Sequence, residues 1–361
     1  MHPFKALARI QYHHPAKILF MGLLVTAVLG AGIPKVQLQT DFQESLPDDL
    51  PPIKAKNIME ERFGSTESII ILFETKDSPK EPSYVSDIRD PRVIRSLSFL
   101  SEELNREPIV DSTRSIAGMF DAQPDSKQQV IQRLSRSRRG SLVNRDYTAT
   151  IMFVTLSAEM TEENVREAVR VIRQNLDETP MYPGMKVRIT GNPVIRNDIS
   201  NVIVGDSVRT IALASLVILF LLVVARGRMY GPVTFMPLFI GLIWTLGFMG
   251  HVGIPLSFAT IALGAMILGL GVEYGSFITE RVVEEMEREG LEQGISTALP
   301  NTGSAIVGSA LTDGIGFLAL LLASFSFIRT LGISLALGEL LTVTSALVMT
   351  PAMIVLFRRR Y

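Results

Sequence analysis

The chain has 361 residues, 47% hydrophobic and 20% charged, with a formal net charge of −1. With a positive mean hydropathy, it is too apolar for an ordinary soluble enzyme and too charged to lie wholly in a bilayer, so two physical environments are expected. The near-zero net charge gives no reason to expect a nucleic-acid partner, and the absence of cysteine excludes disulfides and thiolate chemistry.

Residues 1–16 read as a cytoplasmic interfacial segment, with Met1 to Gln11 as an amphipathic helix. Residues 17–34 hold the first span, the apolar run Ile18 to Ile33, closed by Pro34 and Lys35. It reads as an anchor rather than a signal peptide, because Lys17 follows a long basic start and no small-x-small cleavage site precedes the polar stretch.

Residues 35–207 concentrate the charge and form an extracytoplasmic domain. Ser68 to Glu74 is a predicted buried strand, and Asp90 with Pro91 suit the cap and first turn of a helix whose apolar face is Val93, Leu97, Leu100 and Leu104. A short strand near Ile109 precedes a polar insertion, Gly118 to Asp146. The insertion carries Arg133, Arg136, Arg138 and Arg139, a solvated surface or a contact for anionic headgroups. The pattern then repeats: strand Thr148 to Leu156, helix Glu163 to Leu176 with Val165, Ala168, Val169, Ile172 and Leu176 on one face, and strand Lys186 to Thr190. Strand, helix, strand, twice over, is a ferredoxin-like α+β arrangement, which does not by itself name a role.

Residues 208–357 hold the remaining spans: Thr210 to Ala225, entered by a helix from Asn201 to Arg209; Tyr230 to Gly250; a fourth starting near Leu256; Thr302 to Ser324; and Thr330 to Phe357. A cytoplasmic amphipathic segment, 280–300, separates the fourth span from the fifth; its first part, Glu280 to Leu291, shows Val282, Val283 and Met286 on one side and reads either as an interfacial helix or as an ordinary solvated one. Residues 358–361 form a cytoplasmic tail. Placing both termini in the cytoplasm puts Lys5, Arg9, Lys17, Arg226, Arg228, Arg281, Arg288, Arg358, Arg359 and Arg360 inside, as the positive-inside rule requires.

Three carboxylic acids interrupt these apolar spans: Glu273 in the fourth, Asp313 in the fifth and Glu339 in the sixth. An acid at that depth costs roughly 2.5–3.5 kcal/mol on insertion scales, so it turns toward a bundle interior or a wet path. No Lys or Arg sits mid-span to neutralise them. A carboxyl buried without a cation is held more easily as the neutral acid, able to gain and lose a proton. A proton relay follows, with Glu273 its leading member, Tyr274 able to hydrogen-bond a neighbouring acid and Thr312 supplying a hydroxyl. The plainer alternatives are that water simply reaches Glu273 and that Glu339 is a helix-to-helix hydrogen-bond donor. Gly269, Gly271 and Gly275 allow another helix to approach. Phosphate-loop, zinc-protease and nucleophile-elbow motifs are absent, so the chain is expected to be a secondary active transporter rather than an enzyme, with no cofactor beyond a proton gradient.

Three stretches resemble the resistance-nodulation-division superfamily, nearest its hydrophobe/amphiphile exporter and MmpL-like branches: GLGVEYGSFITERVVEE from Gly269 to Glu285, SALTDGIGFLALL from Ser309 to Leu321, and LGISLALGELL continuing to Thr350 and Pro351. The resemblance implies an α-helical membrane bundle of six spans, one half of the superfamily's usual twelve and sterol-sensing-like, carrying a porter domain outside. It implies the family's fourth-span acid and tyrosine pair at Glu273 and Tyr274, with Glu where Asp is usual. Asp313 stands where a second threonine is common, and Glu339 where an apolar residue is. It further implies a homodimer in the cytoplasmic (inner) membrane, with two copies of Glu273 meeting across a two-fold axis, exporting hydrophobic or amphiphilic small molecules or lipids. Two other functions fit the same topology: a Sec-type accessory translocation motor, and a sterol- or lipid-sensing module that binds without pumping.

Overall fold

The computed structural model describes residues 3–39, 46–47, 50–63, 68–75, 83–136, 142–156 and 162–359. Met1, Arg138, Arg139 and Arg360, named above, lie outside the described residues. In chain order come helices α1 (Pro3–His13) and α2 (Pro15–Gly30), strand β1 (Leu38–Gln39), helix α3 (Pro51–Phe63), strand β2 (Ser68–Thr75), helix α4 (Pro91–Leu104) and strand β3 (Val110–Arg114). Helix α5 (Lys127–Arg136), strand β4 (Ala149–Leu156), helix α6 (Glu162–Glu178) and strand β5 (Met185–Thr190) follow. The remainder is helix α7 (Asn192–Val252), strand β6 (Leu256–Ser257) and helices α8 (Leu263–Glu289), α9 (Leu291–Leu318) and α10 (Ser326–Arg358). The chain divides into a unit of Pro51–Ile199 and one formed by Met1–Leu50 with Ser200–Tyr361.

In the α/β unit, alternation along β2 buries Ile69, Ile71 and Phe73, and along β4 Met152, Val154 and Leu156. The sheet has the order β3-β4-β2-β5 and every pairing is antiparallel, with Ile71 opposite both Met152 and Ile189. Helix α4 opens as predicted: the Asp90 carboxylate accepts from the Arg92 N–H at 2.9 Å, with Pro91 in the first turn. Its Val93, Leu97, Leu100 and Leu104 join Ala168, Val169 and Ile172 of α6 in one core. The expected polar insertion departs from the reading, because α5 lies within it and buries Val130 and Leu134 against that core. Only two of its three apolar residues face the core, Ile131 being exposed, and that is too sparse a stripe to stand out. Arg133 is at the surface and also donates to the Met119 carbonyl at 2.8 Å.

Asp87 fastens α5 to the segment before α4. Its carboxylate pairs with Arg89 at 2.6 Å and with Lys127 of α5 at 2.7 Å, while Arg89 stacks over Tyr147. Burial alone would raise the Asp87 pKa; the hydrogen bonds from Arg89 and Lys127 overcome it and hold the group at about 2. A carboxyl with a depressed folded value contributes stability above its unfolded value and loses it on acidification. Lowering the pH from 4 to 2 is therefore expected to remove about 1–2 kcal/mol from this unit, and Asp87→Asn to abolish that share of the acid sensitivity, as read by denaturant titration across that window.

In the other unit, four stretches are long and apolar enough to cross a membrane: Pro15–Lys35, Asn192–Val252, Leu291–Leu322 and Ser326–Arg358. The second contains Gly227 at φ 81°, ψ 169°, a break that a side chain would strain. Helix α8 packs on α9 and α10, α1 on α9 and α10, and α2 on α10. One end is basic and tightly tied: Arg358 donates to the Tyr230 hydroxyl at 2.6 Å, Arg359 to the Tyr12 carbonyl at 2.7 Å, and Arg226 pairs with Glu280 at 3.0 Å.

Two expected boundaries move. Helix does not begin near Leu256. Pro255 disfavours helix before it, and Leu256–Ser257 instead pairs in parallel with Leu38–Gln39, so α8 starts only at Leu263. Nor is 280–300 an element of its own. Helix α8 runs on to Glu289, with Glu285 buried against Arg281, and Gly290 at φ 85° turns the chain into α9.

Candidate functional site

Tyr274 is the centre of the site. On α8 the positions Ile267, Gly271, Tyr274, Ile278 and Val282 recur at three- and four-residue spacing and are buried, so the Tyr274 ring is held in the core with Val233, Ile278 and Val343. Its hydroxyl reaches two other helices, meeting Asp313 Oδ2 of α9 at 3.1 Å and Glu339 Oε1 of α10 in a short contact. Glu339 is 2% exposed, whereas Asp313 is exposed on the surface of the chain. The three groups thus run from an open carboxyl, through a phenol, to a buried one.

The hydrogen-bond inventory fixes what this trio can do. A phenol has one proton to donate, and an ionised carboxylate has none. If Tyr274 donates to one carboxylate, its oxygen can bond the other carboxyl only by accepting from it, so that carboxyl must carry a proton. The trio is therefore complete with one carboxyl proton, which either acid can hold. Glu339 Oε2 is buried and has no hydrogen-bond partner among the described residues, a further point where a proton can reside or leave.

Helix packing sets this position. A Cβ at Gly241 of α7 would sit 2.6 Å from the Thr342 Cα of α10, and one at Gly271 of α8 would sit 2.6 Å from Thr342 Cγ2. Thr342 lies one turn beyond Glu339, so the two glycines let α7 and α8 close on the turn that carries the acid. Gly275 similarly faces Leu238 and Thr234 of α7.

The other predicted site residues lie apart. Glu273 is exposed and forms no hydrogen bond or ion pair among the described residues, because one residue along α8 turns the side chain about 100° away from Tyr274. Thr312 is exposed and its hydroxyl donates to the Gly308 carbonyl of its own helix at 3.0 Å. A Cβ at Gly269 would meet nothing within 4 Å, so that glycine brings no helix of this chain closer. Sequence reasoning missed Ser334 and Thr342, whose buried hydroxyls have no partner among the described residues. Ser334, Gly338, Thr342 and Ser345 form a small polar stripe at helical spacing on α10, which was the available signal. No group of described residues is arranged to hold a metal ion.

The model of the MMPL family matches residues 108–361. The chain is 30% identical to the membrane protein MJ1562 of Methanocaldococcus jannaschii, across 98% of this chain and 94% of that protein. It is 24% identical to the transport protein MmpL4 of Mycobacterium leprae, across 96% of this chain but 35% of that protein. It is also 24% identical to the apo-petrobactin exporter of Bacillus anthracis, across 99% of this chain and 48% of that protein.

Proposed function

Since the chain belongs to the MMPL family of the resistance-nodulation-division superfamily and is a multi-pass membrane protein, we propose that it is a proton-driven exporter of hydrophobic or amphiphilic molecules such as lipids. The observation that carries the reading is the bonding of Tyr274 to carboxyl groups of two neighbouring apolar helices. Asp313 accepts a proton at the open side, Tyr274 passes it, and Glu339 holds it inside the bundle. Protonation changes which helix packing is favoured, and that difference is what can drive cargo.

The working form is a homodimer of six-span halves. The break at Gly227 divides α7 into two spans, and α8 adds another to the remaining helices. Two observations support pairing. Glu273 is exposed on one chain, at a cost of roughly 2.5–3.5 kcal/mol if it faced lipid, and a second copy would cover it. The chain also spans about half of the exporter it matches. The α/β unit, whose sheet order suits a ferredoxin-like porter module, serves as the extracytoplasmic domain that receives cargo.

The test is proton flux into vesicles holding the purified chain and a pH-sensitive dye. An imposed gradient is expected to drive proton entry that an amphiphilic cargo accelerates, and Asp313→Asn is expected to lower it about 100-fold or more. Wild-type vesicles with no flux above empty ones would leave a lipid-binding module and end the exporter reading.

A further inference from the structure

Helix α1 is held in one rotation. Ala8 is buried, Phe4 rests over Gly303 of α9, and the Gln11 side-chain amide donates to the Leu347 and Val348 carbonyls of α10 at 2.8 and 3.1 Å. That rotation turns Lys5 and Arg9, one helical turn apart, toward the start of α9. Between them lies a cavity of about 830 Å³ whose opposite wall is Gln293, Ser296, Thr297 and Asn301. No carboxylate among the described residues lines it. Five other cations at this end have partners: Arg226, Arg281 and Arg288 pair with glutamates, and Arg358 and Arg359 bond to Tyr230 and Tyr12. Lys5 and Arg9 form no ion pair among the described residues.

Two cations facing hydroxyl and amide groups, with no competing acid, match the oxygens of a phosphate. The cavity also lies between α1, the helix that precedes the apolar stretch Pro15–Lys35, and the first turns of the apolar stretch Leu291–Leu322, the depth at which headgroups sit. Basic pockets between membrane helices at that level bind anionic lipid headgroups. We propose that this cavity holds the phosphate of an anionic membrane phospholipid, pinning α1 to α9.

The site does not depend on proton-driven export, because retention is read without a gradient. The experiment is native mass spectrometry of the purified full chain offered phosphatidylglycerol or phosphatidylcholine, with inorganic phosphate as a competitor. The wild type is expected to retain phosphatidylglycerol about tenfold or more over phosphatidylcholine. The double variant Lys5→Gln, Arg9→Gln is expected to lose that preference, inorganic phosphate not to displace the lipid, and Ser296→Ala with Thr297→Val on α9 to weaken retention with unchanged thermal unfolding. Equal retention of both lipids by the wild type, full retention by the double variant, or displacement by inorganic phosphate, which would mark a site for soluble phosphate, would each overturn it.

Discussion

Tyr274→Phe is expected to abolish coupled proton movement while leaving the helical bundle assembled. Phenylalanine keeps the ring that packs with Val233, Ile278 and Val343, so little apolar burial is lost. What disappears is the single oxygen that bonds both Asp313 and Glu339. Positioned proton transfer contributes about 10²- to 10⁴-fold in rate, so vesicle flux should fall by at least about 100-fold. Stability should fall by only about 1–3 kcal/mol, the cost of leaving a buried polar group unsatisfied, here Glu339. A variant that loses flux and also fails to assemble would instead mark Tyr274 as a packing residue. Retained flux would remove it from the relay.

Gly241→Val is expected to part α7 from α10 beside the site and to destabilise the membrane unit. Its Cβ would fall 2.6 Å from the Thr342 Cα and 2.8 Å from Thr342 Oγ1. The first of these is backbone, which cannot rotate aside, so α7 and α10 must part. Overpacking usually costs about 1–3 kcal/mol, and a backbone collision puts this variant at or above the top of that range. Because Thr342 is one turn from Glu339, parting the helices also draws the acid away from Tyr274. Thermal unfolding in detergent should show the loss, and flux should fall with it. Adding Thr342→Ala removes the hydroxyl but not the Cα, so rescue should be partial at most. Full rescue would place the collision at the side chain alone.

Much of the α/β unit was legible because its signals are local. The apolar run of β2, the strand Thr148 to Leu156 and the Asp90-Pro91 cap each lie within a few residues, and the structure has strands and helix there. Helix α5 was not, because Val130 and Leu134 are too few to make a stripe and acquire meaning only against the core that α4 and the sheet supply. Of the five residues the sequence put forward for the relay, the structure brings Tyr274, Asp313 and Glu339 together and leaves Glu273 and Thr312 apart. Carboxyls in apolar helices marked Asp313 and Glu339, since their cost holds whichever way a helix turns. Which side chain of the Glu273-Tyr274 pair points inward depends on helix rotation. The series Ile267, Gly271, Tyr274 and Ile278 contained that information, and the likeness of the GVEY stretch to a family motif drew attention to Glu273 instead. The contact of Thr342 with Gly241 was out of reach because it joins helices about 100 residues apart in the chain.

Whether Asp313, Tyr274 and Glu339 share a carboxyl proton is read most directly by infrared difference spectroscopy of the whole chain in lipid. At neutral pH a protonated-carboxyl carbonyl band is expected that shifts in deuterium oxide, moves in Tyr274→Phe and is lost in Glu339→Gln. A neutral-pH spectrum with no protonated carboxyl, or with one untouched by either substitution, would contradict the relay.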